Sequence, residues 1–480
     1  MAVTADPSVR VADRANGASR QSSFPTIDDA RALELEPEPG TLARLVADSG
    51  TRFVLAVFTN LRGKPCAKLV PASAIDQLEA GELGFAGYAA DAIGQQPRDP
   101  DLVVVPDPRS FTSLDFIKPG LALVHCDPYV SGEPWRFAPR VILGRMLADA
   151  ATDGLELKVG AEVEYFLVRR NADGSLCTAD PRDDESHPCY DARGVTRMFE
   201  HLAGVSDAMN DLGWANYAND HEDGNGQFEQ NFAYDEAMVT ADRVMTLRYI
   251  ISMLAEQRDM IATFMPKPFS DRTGSGMHLH MSLWRDGDPV FPADGEDRSG
   301  GQDRYGLGLS ATAYSFIAGI LDHAAGMHSV LCPTINSYKR IGARTTASGA
   351  TWSPTDATYG GNDRTHYLRV PDGNRVELRG GDGSANPYLA VAVQLAAGLD
   401  GVRRQLDPGA PAAVTDATHT LPPTLLHAVE ELCRDDVVRA ALDIGGGGVA
   451  EYYADLKREE FTAWHNTVTQ WEIDEYLTAL

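Results

Sequence analysis

Residues 158–168 read Lys-Val-Gly-Ala-Glu162-Val-Glu164-Tyr-Phe-Leu-Val, and residues 277–284 read Met-His278-Leu-His280-Met-Ser282-Leu-Trp. Both alternate with the two-residue period of a β-strand, which sends successive side chains to opposite faces. Glu162 and Glu164 therefore share a face, as do His278, His280 and Ser282, while Met277, Leu279 and Met281 take the other. Arg375-Val-Glu377-Leu-Arg379 repeats the pattern, with a carboxylate between two guanidiniums. Alone, each stretch reads as a solvated strand face or a surface salt-bridge ladder. They do not stand alone: His221-Glu222-Asp-Gly-Asn-Gly-Gln-Phe-Glu229 adds two carboxylates around glycines that allow tight backbone paths. Clustered like charges on a buried sheet face are costly unless a cation neutralises them. Glu162, Glu164, Glu222, Glu229, Glu377 and His278 thus form a candidate set for two hard cations, Mg²⁺ or Mn²⁺. Zinc fits less well, for want of Cys and paired-His ligation.

Arginines make the second theme. Arg340, Arg364, Arg369, Arg375 and Arg379 crowd one stretch of a chain whose net charge is −27. Guanidinium forks bind carboxylates and phosphates bidentately. Metal-type carboxylates plus arginines describe a phosphoryl-transfer site, and neither a Walker loop nor a Rossmann glycine pattern competes for the nucleotide.

The rest of the chain sets bounds. With 480 residues and 43% hydrophobic content it is long enough for a large core and more than one domain. Its acidity argues against a nucleic-acid or anionic-membrane partner. No apolar run approaches ~18 residues and no signal-peptide pattern opens the chain, so a cytoplasmic location is expected. The cysteines (Cys66, Cys126, Cys177, Cys189, Cys332, Cys433) have no metal-like spacing and read as reduced structural thiols. Residues 1–40 lack apolar periodicity and are expected to be a disordered tail. A small strand-rich domain is expected over 41–138, opening with a helix at Thr41–Asp48 and a hairpin built from Phe53–Phe58 and Ala67–Val70. From 139 to 480 long amphipathic stretches alternate with short strands, giving an α+β texture.

These motifs resemble the glutamine synthetase family from about Phe53 onward: G-A-E-V-E-Y-F-L, H-E-D-G-N-G-Q-F-E, A-T-F-M-P-K-P, G-S-G-M-H-L-H-M-S-L, N-S-Y-K-R, R-V-E-L-R and S-A-N-P-Y-L-A occur in family order. The resemblance implies a β-grasp-like domain followed by a catalytic domain with a curved antiparallel sheet flanked by helices. It implies a first metal site of Glu164, Glu222 and Glu229, and a second of Glu162, His278 and Glu377. Arg340 and Arg379 match the family's clamp on glutamate, and Gly274 its glutamate-binding glycine loop. Arg364, Arg369 and Arg375 match residues facing the ATP phosphates, and Ser282, with His280 beside it, falls where the nucleotide is contacted. The implied reaction has two steps: attack of the glutamate γ-carboxylate on ATP, then displacement of phosphate by an amine. Arg340, Arg364 and Asn60 are the side chains expected to serve it. Family members form rings, commonly two stacked hexamers with active sites at subunit interfaces, and a homo-oligomeric dodecamer is expected here.

Two departures bear on the amine. Where ammonia-using members carry an acid in F-T-D-x-x-G-K, this chain reads Phe58-Thr-Asn60-Leu-Arg-Gly-Lys64. The flap Ile341–Trp352 contains no acid either, with Thr346 near that register. An Asn amide neither carries charge nor takes a proton. Both features resemble the branch often labelled type III, which includes γ-glutamylmethylamide synthetases, so an organic amine is expected rather than ammonia. An alkylamine follows from the branch, whereas an arylamine follows from the missing charge, with Trp352 and Tyr359 as stacking surfaces or ordinary loop packing. Ammonia use, and a non-catalytic structural or signalling role, are the alternatives. The family's adenylylation motif is absent where the chain reads Leu406–Val414, and no control by that modification is expected.

Overall fold

The computed structural model describes residues 38–293, 303–342, 353–411 and 420–479. Residues 1–37 of the expected tail, and Thr346 and Trp352 of the flap, lie outside them. From Gly40 onward the chain forms one compact unit built on two sheets.

The first sheet contains β1 (Phe53–Thr59), β2 (Pro65–Pro71), β3 (Leu83–Phe85), β4 (Leu102–Pro106), β5 (Thr112–Ser113), β6 (Leu121–Val130) and β7 (Glu133–Pro134). Its main path runs β2-β1-β6-β4-β3, with β1 and β6 parallel and the hairpin partner β2 antiparallel. Alternation along β1 explains its place. Val54, Ala56 and Phe58 enter a small core with Leu42 and Val46 of helix α1 (Thr41–Asp48), while Val57 faces the larger core.

The second sheet contains β8 (Glu156–Arg170), β9 (Leu176–Thr178), β10 (Ala218–His221), β11 (Gln227–Asn231), β12 (Asp235–Glu236), β13 (Ile261–Thr263), β14 (Met277–Arg285), β15 (Asp288–Pro289), β16 (Tyr359–Gly360), β17 (Leu368–Asp372) and β18 (Arg375–Leu378). The path is β10-β11-β8-β14-β18-β17-β16. Pairing is antiparallel, as expected, except that β16 joins β17 in parallel. Leu157, Val159, Ala161, Val163, Tyr165 and Leu167 of β8 enter the core, as do Met277, Leu279, Met281 and Leu283 of β14 and Val376 and Leu378 of β18. Helices α2 (Pro139–Thr152), α3 (Ala237–Glu256), α4 (Ala311–Asp322) and α5 (Pro387–Arg404) contribute to that core. The opposite face of the same strands is left to the polar residues.

A buried ion cluster ties the two sheets together. Arg140 at the start of α2 donates to Asp242 on α3, to Asp127 on β6 and to Asp107 beside β4. Tyr388 of α5 donates to Asp242, and His125 of β6 bonds Thr246 of α3. Against burial, the hydrogen bond from Arg109 and then the charge of Arg140 hold the Asp107 carboxyl below its usual range. Removing one partner of such a cluster leaves uncompensated charge, which costs more than the intact cluster gains. Arg140→Met is therefore expected to destabilise the protein by about 3–5 kcal/mol in urea unfolding; an unchanged midpoint would contradict this role.

Candidate functional site

Strand register assembles the polar face. Glu162 of β8 stands opposite His278 of β14, and His280 opposite Glu377 of β18, which in turn faces Arg369 of β17. On the other side of β8, Glu164 pairs with Glu229 of β11, which pairs with Asp220 of β10. Glu222 follows just past the end of β10. Side chains in register on adjacent strands share a face, so six strands present one continuous row of charge.

Three overlapping ligand groups result, each with its donor atoms within 4.8 Å of one another: Glu162/His278/Glu377, Glu164/Glu229/His278 and Asp220/Glu222/Glu229. The structure brings together all six expected metal-type residues and adds Asp220. His278 lies between the groups, its Nδ1 2.9 Å from Glu162 and 3.7 Å from Glu377, its Nε2 3.8 Å from Glu164. His280 Nε2 is 2.8 Å from Glu162, and its Nδ1 is 3.2 Å from Arg375 Nε.

The two ends of the row differ electrostatically. Glu377 is fully buried, yet its carboxyl sits below the usual range: against the effect of burial, the charges of His278 and Arg379 favour the ionised form. Glu162 is held low as well, because hydrogen bonds from His278 and His280 outweigh burial. At the other end carboxylates face carboxylates. Burial and the charges of Glu164, Asp220 and Asp223 push Glu222 far up, and burial with Glu162, Glu222 and Glu164 does the same to Glu229. Asp220 is raised to about 6 by burial, Glu162 and Glu164. Oxygen donors that crowd until they hold protons are a chemical fit for a divalent cation.

Around this row the arginines take different positions. Arg340 is buried and its Nη1 has no hydrogen-bond partner, so a donor stands ready for a substrate anion. Glycines make room for it. A Cβ on Gly276 would lie 2.8 Å from His278 Nε2, 2.9 Å from Arg340 Nη2 and 3.0 Å from Glu164, and one on Gly274 would strike the Pro266 carbonyl and Arg340 Cγ. Arg379 donates to Glu377 at 2.5 Å and to the Arg364 carbonyl, leaving Nη2 unengaged by either. Arg364 is exposed at the rim, Arg375 is half-exposed beside His280, and Ser282 accepts from Trp284 Nε1 at 2.9 Å.

Three of the expected residues are engaged within the protein. Arg369 Nη1 donates to Glu377 at 2.6 Å, Nε and Nη2 both donate to Asn362, and the residue holds Glu377 in place. Asn60 is enclosed: it is fully buried, Nδ2 donates to the carbonyls of Ala90 and Asp91, Oδ1 accepts from the backbones of Arg62 and Lys64, and its carbonyl accepts from Asn386. Tyr359 follows the loop-packing alternative, buried with its hydroxyl on the Gly409 carbonyl.

Sequence reading missed the supports. Gln227 Nε2 and the Gly276 amide both donate to Glu164 Oε2, at 3.0 and 2.8 Å. His221, buried against Phe228, is 2.9 Å from Asp183 through Nε2 and bonds the Glu222 carbonyl through Nδ1. Gln227 shares the strand alternation of Glu229 and was legible in principle; Asp183 carries no local signal.

A profile described as "Glutamine synthetase, catalytic domain" matches residues 136–476. Glutamine synthetase of Rhizobium leguminosarum bv. phaseoli is 41% identical over 444 residues, covering 91% of this chain and 99% of that protein. Glutamate–methylamine ligase of Methyloversatilis universalis is 37% identical over 451 residues, covering 92% and 99%. A solved structure described as "GmaS/ADP complex-Conformation 1" superposes with a TM-score of 0.83 at 43% identity, covering 91% of this chain and 99% of that one.

Two outcomes are expected. For Glu222 and Glu229 the folded state binds more protons than the unfolded state, whose carboxyls titrate near ~4.3, so their contribution to stability falls as pH rises through the raised folded values. Mn²⁺ should therefore raise the melting temperature more at pH 8 than at pH 5.5, and Glu229→Gln should raise metal-free stability at pH 8 while shrinking that gain; an equal Mn²⁺ effect at both pH values would contradict the assignment. Asn60→Asp replaces a donor to two carbonyls by an acceptor, and should cost about 1–3 kcal/mol in thermal or urea unfolding without raising ammonia use. Enhanced ammonia use would return Asn60 to the amine.

Proposed function

This chain belongs to the glutamine synthetase family and is an ATP-dependent glutamate ligase, and we propose that it joins the γ-carboxylate of L-glutamate to a small organic amine by way of γ-glutamyl phosphate. The observation that carries the reading is the single sheet face on which six metal-type residues, free arginine donors and a nucleotide-side Ser282 meet. Glu164, Glu222 and Glu229 would hold one Mg²⁺ or Mn²⁺, and Glu162, His278 and Glu377 a second. When bound, such ions offset charge on the transferring phosphoryl oxygens. Arg340 and Arg379, with Gly274 and Gly276 leaving space, orient glutamate; Arg364 and Arg375 face the ATP phosphates, with His280 and Ser282 on the nucleotide side. Holding two anions in line is most of what phosphoryl transfer asks of a protein. The protein is proposed to work as a homo-oligomeric ring, and the described residues include no helix long and apolar enough to cross a membrane.

The amine is assigned from the acid-rich end of the row. Tyr190 is 70% exposed and carries a φ of 61°, a conformation that a bulky side chain adopts only under constraint. Its amide donates to the His221 carbonyl at 2.8 Å, and its phenol lies within the influence of Glu222, Asp220 and Arg364. An aromatic face beside carboxylates suits an alkylammonium, with its charge on the acids and its methyl group on the ring. Asp220 supplies the counter-charge and proton acceptor that Asn60 and the flap lack. Similarity to the glutamate–methylamine ligase points the same way, whereas similarity to the Rhizobium enzyme keeps ammonia as the second reading.

Coupled ADP release with glutamate, ATP and a panel of ammonium, methylamine, ethylamine and aniline tests this. Methylamine or ethylamine should give a kcat/KM at least tenfold above ammonium, and Tyr190→Ala should narrow that ratio by about threefold to tenfold. A highest value with ammonium would make glutamine the product; no ADP release with any amine would leave a non-catalytic member.

A further inference from the structure

On the opposite side of β8 from the carboxylates, charge of the other sign gathers. A cleft of about 290 Å³ is lined by Arg169, Arg182, Arg197 and Arg258, with Asp180 and Glu200 as the acids among its lining residues. Four guanidiniums against two carboxylates reverse the balance of a chain whose net charge is −27. Arg182 and Arg197 share Asp180 between them. Arg169 and Arg258 have no carboxylate partner among the described residues: Arg169 donates to the carbonyls of Asp259 and Ala179, and Arg258 to those of Leu254 and Glu200.

The cleft also contains donors that nothing satisfies. His201 is 1% exposed and neither ring nitrogen makes a hydrogen bond, the Leu254 backbone acting on it only from outside hydrogen-bond geometry. Arg197 Nη2 is buried too and makes no hydrogen bond, the Asp191 carboxylate standing 3.9 Å away. Buried donors are normally paired, by protein or by something bound. The lining contains no Ser, Thr, Cys, Lys or Tyr, and its guanidiniums favour recognition.

We propose that this cleft is a binding site for a small dianion, phosphate- or carboxylate-bearing, held by Arg169 and Arg258 with Arg197 and His201 beneath. Guanidinium forks match both oxyanion types bidentately, and a ligand with two negative charges would balance the excess of the lining. The site is joined to the catalytic face through a short path: Asp183, next to Arg182, bonds His221, whose neighbour is Glu222.

Isothermal titration of the full chain with inorganic phosphate and, separately, succinate tests the site, with Arg169→Gln/Arg258→Gln and Arg340→Gln as comparison proteins. At least one anion should bind wild type and the Arg340 variant alike, and at least tenfold more weakly to the double variant. Binding of phosphate alone identifies a phosphate-bearing ligand; binding of succinate alone identifies a dicarboxylate. Should circular dichroism show the double variant unfolded, Arg182→Gln, on a side chain 74% exposed, is read instead and should weaken binding at least threefold. Titrations of folded variants indistinguishable from wild type with both anions would overturn the proposal.

Discussion

Like-charge crowding on one sheet face is the constraint that everything else in this molecule serves. Glu162, Glu164, Asp220, Glu222, Glu229 and Glu377 repel one another, and water is largely excluded from several of them. Such a cluster survives folding only because strand pairing leaves it no alternative. The apolar residues that alternate with these carboxylates are locked into the core, and a slip of one residue would bury the charges and expose the core. The stability of the apolar face therefore supports the instability of the polar one.

Its two ends manage that instability differently. Around Glu377, Arg369 and Arg379 lend permanent positive charge and His278 adds hydrogen-bonding capacity. Around Glu222 and Glu229 the sources of charge are carboxylates, and the row relies on something from outside. This asymmetry divides labour: one end is pre-organised by the protein, whereas the other is completed by a cation and, in the proposed reaction, by an ammonium. Gln227, Gly276, His221 and Asp183 fix the carboxylates from behind, so the ligands stay in place before anything binds.

What was legible in the sequence followed from period. Glu162, Glu164, His278 and Glu377 sit in stretches where polar and apolar residues alternate, and Glu222 and Glu229 flank glycines in one short motif. Asp220 stayed hidden because β10, Ala218-Asn-Asp-His221, has no large apolar residues to alternate with it. For Asn60 and Arg369 the sequence was silent about partners. Their types suited the chemistry, but tertiary neighbours, the carbonyls of Ala90 and Asp91 for one and Asn362 with Glu377 for the other, had already claimed their hydrogen bonds. The break at Met198, which separates the helices Ala192–Arg197 and Phe199–Asp211, has no Gly or Pro beside it to announce it. The Arg169–Arg258 cleft was invisible because its residues come from scattered elements, and no periodicity joins them.

The most direct measurement is the number of Mn²⁺ ions bound per chain, counted by loss of the free-ion electron paramagnetic resonance signal in the presence of ADP. At least two tight ions per chain are predicted, with one lost in Glu229→Gln and a different one in Glu377→Gln, separable by their affinities. A wild-type protein that binds no Mn²⁺ tightly, or whose stoichiometry is indifferent to both substitutions, would contradict the assignment of this face as the catalytic site.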